Sequence, residues 1–166
     1  LLRRRGGGCA VLLDPGNVIA SSAFRQPGIG GVPAAFSRAL DWLLAGLAAM
    51  GLTGLSRQGI SDLARDGRKV AGTCLYRSKD LVYFSASLLV RPDLDLVEAC
   101  LPHPPREPAW RAGRSHREFM SAGLGGGLDA AAFAAQLSRE LESALDRLHG
   151  PAASPPSRSV ESDQQH

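Results

Sequence analysis

The sequence predicts an α+β fold, a mostly antiparallel sheet with helices packed against it. Three observations carry this prediction. From Ile60 to Val90, apolar runs alternate with short polar turns, the pattern of a β-meander. Ahead of it, Pro33 to Met50 has apolar residues at helical spacing. Behind it, a second helical pattern begins at Asp129.

Taken in order, Cys9 to Leu13 is a short apolar run closed by Asp-Pro-Gly, which reads as a buried strand and a turn. Asn17 to Phe24 reads as a second strand, so these two are expected to form a hairpin. "RQPGIGGVP" has the glycine and proline content of a loop. In the following helix Phe36, Leu40, Leu43, Leu44 and Leu47 make one apolar face, and Gly51 is its stop signal. Three strands are then expected over Ile60–Ala64, Lys69–Tyr76 and Leu81–Val90. "RDG" at 65–67 joins the first two, because Asp-Gly suits a turn with positive φ, and "RSKD" at 77–80 joins the next pair. Asp93 to Leu101 suggests a short helix. "PHPPREPAWRAGR" has too many prolines for regular structure. Asp129 is a candidate N-cap for a helix to about Leu148, with Phe133, Leu137, Leu141 and Leu145 on one face. The polar, proline-rich end, 150–166, reads as a disordered tail after a domain over 1–149.

The 166 residues are 44% hydrophobic, enough for one domain with a core, and only 5% aromatic, so Leu, Ala and Val should build it. The net charge of +3 is mild, and no basic helix with interleaved aromatics occurs, which argues against nucleic acid as a partner. Cys9, Cys74 and Cys100 have neither metal nor redox spacing and fit a reducing compartment. No apolar run approaches the ~20 residues of a bilayer span. The expectation is a cytoplasmic protein without a membrane partner. No histidine pair has ligand spacing, so no protein metal site is expected.

Two stretches carry candidate chemistry. In "RRRGGGCAVLLDPGN", at 3–17, bare backbone lies beside guanidinium groups. Successive glycine N–H groups can converge on an anion, and arginine offers a forked donor. The other reading is a flexible turn with solvated charges. In "ISDLARDGRKVAGTCLYR", at 60–77, Lys69 precedes the small residues Ala71, Gly72 and Thr73, which leave room for a ligand. Alternatively Lys69 is a solvated edge residue and Asp62 a paired surface carboxylate. Cys100 reads as a buried small hydrophobe at a helix end, where the dipole disfavours a thiolate. Cys74, in mid-strand, reads as core. Arg111, Arg114 and His116 are either solvated loop charges or groups that close over a phosphate or face a carrier.

Together these stretches resemble the lipoate–protein ligase family, of the cofactor-transferase superfamily that includes biotin ligases and octanoyltransferases. The matching segments are Arg3–Asn17, Ile60–Asp80 and Ser87–Val90, with Lys-Val-Ala-Gly after Asp-Gly-Arg the most specific part. The resemblance implies the class II synthetase-like fold of biotin and lipoate ligase catalytic domains. It implies ATP-dependent activation of lipoate or octanoate as an acyl-adenylate, with Mg²⁺, then transfer to a lysine of a lipoyl carrier domain or glycine-cleavage H-like protein. Carried over by position, Arg3 and Arg4 match the paired arginines, and Gly7, Gly8, Cys9, Ala10 and Val11 the nucleotide- and acyl-binding loop. Asp62 matches an aspartate near the nucleotide, and Lys69 the catalytic lysine that contacts acyl carboxyl and α-phosphate.

The chain also departs from the family pattern. Cys9 stands at the third glycine of the loop, Leu13 where many members have His, and Phe84-Ser85-Ala86-Ser87 where His-His-Gly-Thr is common. The resemblance further implies a helix and strands before the arginine pair, so the first elements of the fold are expected to be missing and the chain as given to be poorly stable. Two rivals remain at this level: an ATP-independent octanoyl or lipoyl transferase of the same fold, and a non-catalytic binder of lipoate or a carrier.

Overall fold

A computed structural model describes residues 2–3, 8–28 and 31–149. Arg4 and Gly7, and the tail over 150–166, lie outside the described residues.

The fold is α+β, as expected. Five strands, β1 (Asn17–Arg25), β2 (Ser56–Gln58), β3 (Asp62–Arg65), β4 (Arg68–Ser78) and β5 (Leu81–Leu89), form one antiparallel sheet in the order β1-β5-β4-β3-β2. Helix α1 (Val32–Ala49) follows β1 with Pro33 in its first turn, where a missing N–H costs no helical bond. After the sheet come α2 (Leu94–Cys100), a 3₁₀ turn over Ala109–Arg111, α3 (His116–Phe119), α4 (Ala130–Ser143) and α5 (Asp146–His149).

Strand periodicity decides which face is core. Val18, Ala20 and Phe24 of β1 and Val82, Phe84, Ala86 and Leu88 of β5 are buried against Leu40, Leu43 and Leu47 of α1. Phe36 and Trp42 meet the Phe84 ring edge-on, at 6.5 and 6.4 Å between centroids. Trp42 Nε1 donates to Leu141 O at 2.9 Å and so joins α1 to α4. Both long helices cover one face of the sheet, leaving the other free for a site.

The local signals operate as their chemistry requires. Asp66 (φ 52°) and Gly67 (φ 72°) form the two-residue turn between β3 and β4. Asp93 and Asp129 cap α2 and α4, accepting from Leu96 N and Ala132 N. A capping box closes α3: Ser115 Oγ accepts from Glu118 N, and Ser115 N donates to Glu118 Oε2 at 2.9 Å.

Several expectations need correction. Cys9–Leu13 is not a strand. It has no regular secondary structure and is largely exposed, with Val11 52% and Leu13 55% accessible. The expected hairpin therefore does not form, and β1 pairs with β5, which is far away in sequence. Cys100 is exposed on the last turn of α2 rather than buried. The final helix breaks at Ala144, which leaves Leu145 39% exposed and buries Leu148 instead. Ser56–Gln58 is an edge strand that sequence alone does not signal, because three polar residues show no alternation.

The capping box gives a pH prediction. Hydrogen bonds from the Ser115 backbone and hydroxyl hold the Glu118 carboxyl below its ordinary 4.5, and the Gly113 N–H, followed by the His103 side chain, does the same for Glu107. A carboxylate whose pKa is lower folded than unfolded stabilises fully above the unfolded value and loses that contribution as pH falls through the folded value. Acidification below pH 4.5 should loosen the loop and α3, seen as a change in Trp110 emission. The E107Q/E118Q double variant should lack that step, and an unchanged step in it would contradict this origin.

Candidate active site

The sheet face away from α1 and α4 forms the floor of a cavity of about 920 Å³. Asn17, Ser85, Ser87 and Gly72 are on that floor, and residues of the segment 8–13, of the proline-rich loop and of α3 complete the lining. The Cys9 thiol donates to Arg106 O at 3.6 Å, which joins the first segment to the loop.

Lys69 reaches this cavity because of a β-bulge. Ala64 of β3 pairs with Lys69, but its neighbour Leu63 pairs with Ala71, so Val70 is an extra residue in β4. The insertion reverses the alternation. Val70 and Ala71 are both fully buried, and Lys69 shares the cavity face with Gly72, Cys74 and Tyr76. Met120 bridges Lys69 on the other side, and Ser121 N donates to Lys69 O at 2.8 Å.

The lysine side chain folds back along its own strand. A Cβ at residue 72 would stand 3.0 Å from both Lys69 Cε and Nζ, so any larger residue there would crowd the ammonium. Gly72 pairs with Asp62, and Lys69 Nζ meets Asp62 Oδ1 at 2.7 Å. Asp62 is 6% exposed, and its other oxygen accepts from Trp110 Nε1 at 3.3 Å. The Lys69 side chain keeps 26% of its surface open. An ammonium has three donors. Asp62 takes one, and two remain for ligand oxygens. Asp62 thus fixes the direction of Lys69 without using up its capacity.

The loop wall is built on aromatic rings. Trp110 packs on Phe119 with centroids 4.4 Å apart. Arg111 and His116, candidates for solvated charges by sequence, are in fact 4% and 8% exposed. His116 Nε2 lies 3.3 Å from Pro102 O, so its ring closes the loop onto the end of α2.

The sequence-predicted residues can now be placed. Gly8, Cys9, Ala10 and Val11 line the same cavity as Asp62 and Lys69. Arg3 is exposed and is not part of the lining. Cys74 is half-buried and faces the cavity, a correction to its reading as core, because it pairs with Ser85 and shares a face with Gly72 in the regular part of β4. Asn17 is a further lining residue, and its Oδ1 is buried without a hydrogen-bond partner among the described residues. Its only sequence signal is the Gly-Asn that ends the first motif. No group of three or more His, Cys, Asp or Glu able to hold a metal occurs among the described residues. No helix among them is long and apolar enough to cross a membrane.

An open antiparallel sheet with helices on one face and this cleft on the other is the fold of lipoate ligase catalytic domains. The chain superposes with TM-score 0.68, at 21% identity, on the bipartite lipoate protein ligase of Thermoplasma acidophilum, whose structural study includes its E2 lipoyl domain. It superposes with TM-score 0.66, at 19% identity, on a lipoate-protein ligase A bound with ATP. A T. acidophilum protein holding lipoic acid gives 0.62 at 17% identity. Each superposition covers 87% of this chain, and 56%, 57% and 56% of the respective neighbours. The family model described as "Lipoyl protein ligase A/B catalytic domain" matches residues 1–142, and the chain belongs to that family. It is 33% identical over 101 residues to a lipoate–protein ligase of Streptococcus pyogenes serotype M5 (strain Manfredo), a match over 61% of this chain and 29% of that protein.

Proposed function

We propose that this domain activates lipoate, or a medium-chain acid such as octanoate, with ATP and transfers the acyl group to a lysine of a lipoyl carrier domain. In the first step a carboxylate oxygen bonds to the α-phosphorus of ATP while the bond to the bridging oxygen breaks and pyrophosphate leaves. In the second, the carrier amine bonds to the acyl carbon, AMP leaves, and the amine loses a proton.

The observation that carries the reading is Lys69 Nζ, held by Asp62 above Gly72 in a cavity also lined by Gly8 to Val11. The reaction brings two anions together. At about 4 Å and an effective dielectric of about 20 their repulsion is about 4 kcal/mol. An ammonium with two open donors between them reverses its sign, and also offsets the charge that builds at phosphorus. The exposed Val11 and Leu13 offer apolar surface for an acyl chain. The relatives bear on this reading by name and by ligand: a lipoate–protein ligase by sequence, ATP and lipoic acid in two neighbours, and a lipoyl domain studied with a third.

Magnesium fits as an ion carried by the triphosphate, which is its ordinary mode, since among the described residues the carboxylates lining the cavity are only Asp62 and Glu107. It would supply charge neutralisation of the leaving pyrophosphate. Asp62 acts on Lys69 in this account. Asp62→Asn keeps the shape but removes the anion that orients the ammonium, and should slow adenylate formation by ~10- to 100-fold. Mass spectrometry of a lipoyl domain incubated with the chain, ATP and lipoate tests the whole reading. The expected product is a single lipoyl adduct that requires ATP. Transfer from a pre-formed acyl donor without ATP, abolished by thiol alkylation, would replace it with the transferase reading.

A further inference from the structure

Three cations surround the Phe119 ring: Lys69 Nζ at 5.9 Å from its centroid, and the guanidinium carbons of Arg111 and Arg114 at 5.0 and 5.2 Å. They are not equivalent. Arg114 is spent on the backbone, donating through Nε to Arg111 O, through Nη1 to Gly67 O and through Nη2 to Trp110 O, at 2.9, 2.9 and 2.7 Å. It ties the loop to the β3–β4 turn. Lys69 is oriented by Asp62.

Arg111 is different. Its Nε donates to Arg114 O at 2.8 Å and lies 3.5 Å from Glu107 Oε2. Its Nη2 is buried and has no hydrogen-bond partner among the described residues, although the side chain is only 5% exposed and lines the cavity. A buried donor without a partner is costly, and the cost is recovered when a ligand supplies the acceptor. The charges point the same way. Lys69 and Arg111 line the cavity, with Asp62 and Glu107 as their respective ion-pair partners. Glu107 is partly engaged elsewhere, accepting from Gly113 N at 2.9 Å and lying 2.9 Å from His103.

We infer that Arg111 is a second oxyanion-binding group of this cavity, receiving through Nη2 a phosphate of the nucleotide or the carboxylate of the acid. The inference rests on the proposed ligase reading for the identity of that anion, but not for its chemistry. A guanidinium fixed through Nε and set 5.0 Å from the Phe119 centroid offers its outer N–H groups as a planar fork, which suits an oxyanion better than a mobile ammonium would. The backbone bond from Nε sets the angle of that edge.

The test is calorimetric titration of the full chain with sodium pyrophosphate, ATP and lipoate, each alone, for the unaltered protein, Arg111→Gln and Glu107→Gln. Arg111→Gln should weaken binding at least ~10-fold for pyrophosphate and ATP if the group holds a phosphate, or for lipoate alone if it holds the carboxylate. Glu107→Gln removes the competing anion and should tighten the same probe by about 3-fold or more. Glu107→Gln decides the matter alone if Arg111→Gln does not fold. Retention of all three affinities in a folded Arg111→Gln, or no gain in Glu107→Gln, would overturn the inference. If the unaltered chain binds pyrophosphate but neither ATP nor lipoate, the ligase reading fails while the Arg111 site is still judged by pyrophosphate. Binding of none of the three overturns both.

Discussion

Replacing Lys69 by alanine should lower the rate of adenylate formation at least ~10²-fold while leaving the fold intact. The side chain touches the cavity, not the helical core, and the buried neighbours Val70 and Ala71 hold the strand in place without it. The loss comes from two sources. Repulsion between carboxylate and triphosphate is no longer offset, and Asp62 is left buried without its cation. Lys69→Arg should recover only part of the rate. A guanidinium keeps the charge beside Asp62 but presents it as a planar fork in place of a compact ammonium. Single-turnover kinetics with labelled ATP measures the effect. An alanine variant within ~3-fold of the unaltered chain would remove Lys69 from the reaction.

Replacing Gly16 by alanine should cost stability rather than chemistry, by about 3 kcal/mol or more. A Cβ at this position would stand 1.8 Å from Arg91 O and 2.5 Å from Arg91 C. Both atoms are backbone, so no rotamer change relieves the overlap. The same residue joins the start of β1 to the end of β5. Its carbonyl accepts from Val90 N and Arg91 N at 3.1 and 2.8 Å, and its N–H donates to Asp14 Oδ1 at 2.6 Å. Asp14 Oδ2 accepts from Asp93 N, which extends the junction to the cap of α2. Separating these segments disturbs Asn17 at the cavity floor as well. Urea denaturation reads the change directly, and a variant within ~0.5 kcal/mol of the unaltered chain would show that the close approach is not rigid.

The helices and the meander were legible in the sequence because each carries its own local signal. The face of α1, the Asp66-Gly67 turn and the caps Asp93 and Asp129 depend on residues within a few positions of one another. What misled was pairing at long range. The apolar run Cys9–Leu13 satisfies every local rule for a strand, yet β1 takes its partner from β5, some seventy positions on in the register Asn17↔Leu89.

The site divides in the same way. Lys69, Asp62 and the small residues beside them were recognisable as a motif, and they do meet. The device that joins them was not legible. A single extra residue, Val70, decides whether Lys69 faces the core or the cavity, and nothing in the local composition marks a bulge there. Arg111 was hidden for another reason. In a proline-rich loop a charged residue is expected to be solvated, and only the packing of Phe119 and Trp110 buries this one.

On the proposed mechanism the ammonium of Lys69 brings a carboxylate to the α-phosphate of ATP within this domain. Exchange of labelled pyrophosphate into ATP measures that union and nothing after it. Exchange should require lipoate or octanoate and be lost in Lys69→Ala. Exchange that proceeds without any acid, or that persists undiminished without the lysine, would contradict that mechanism.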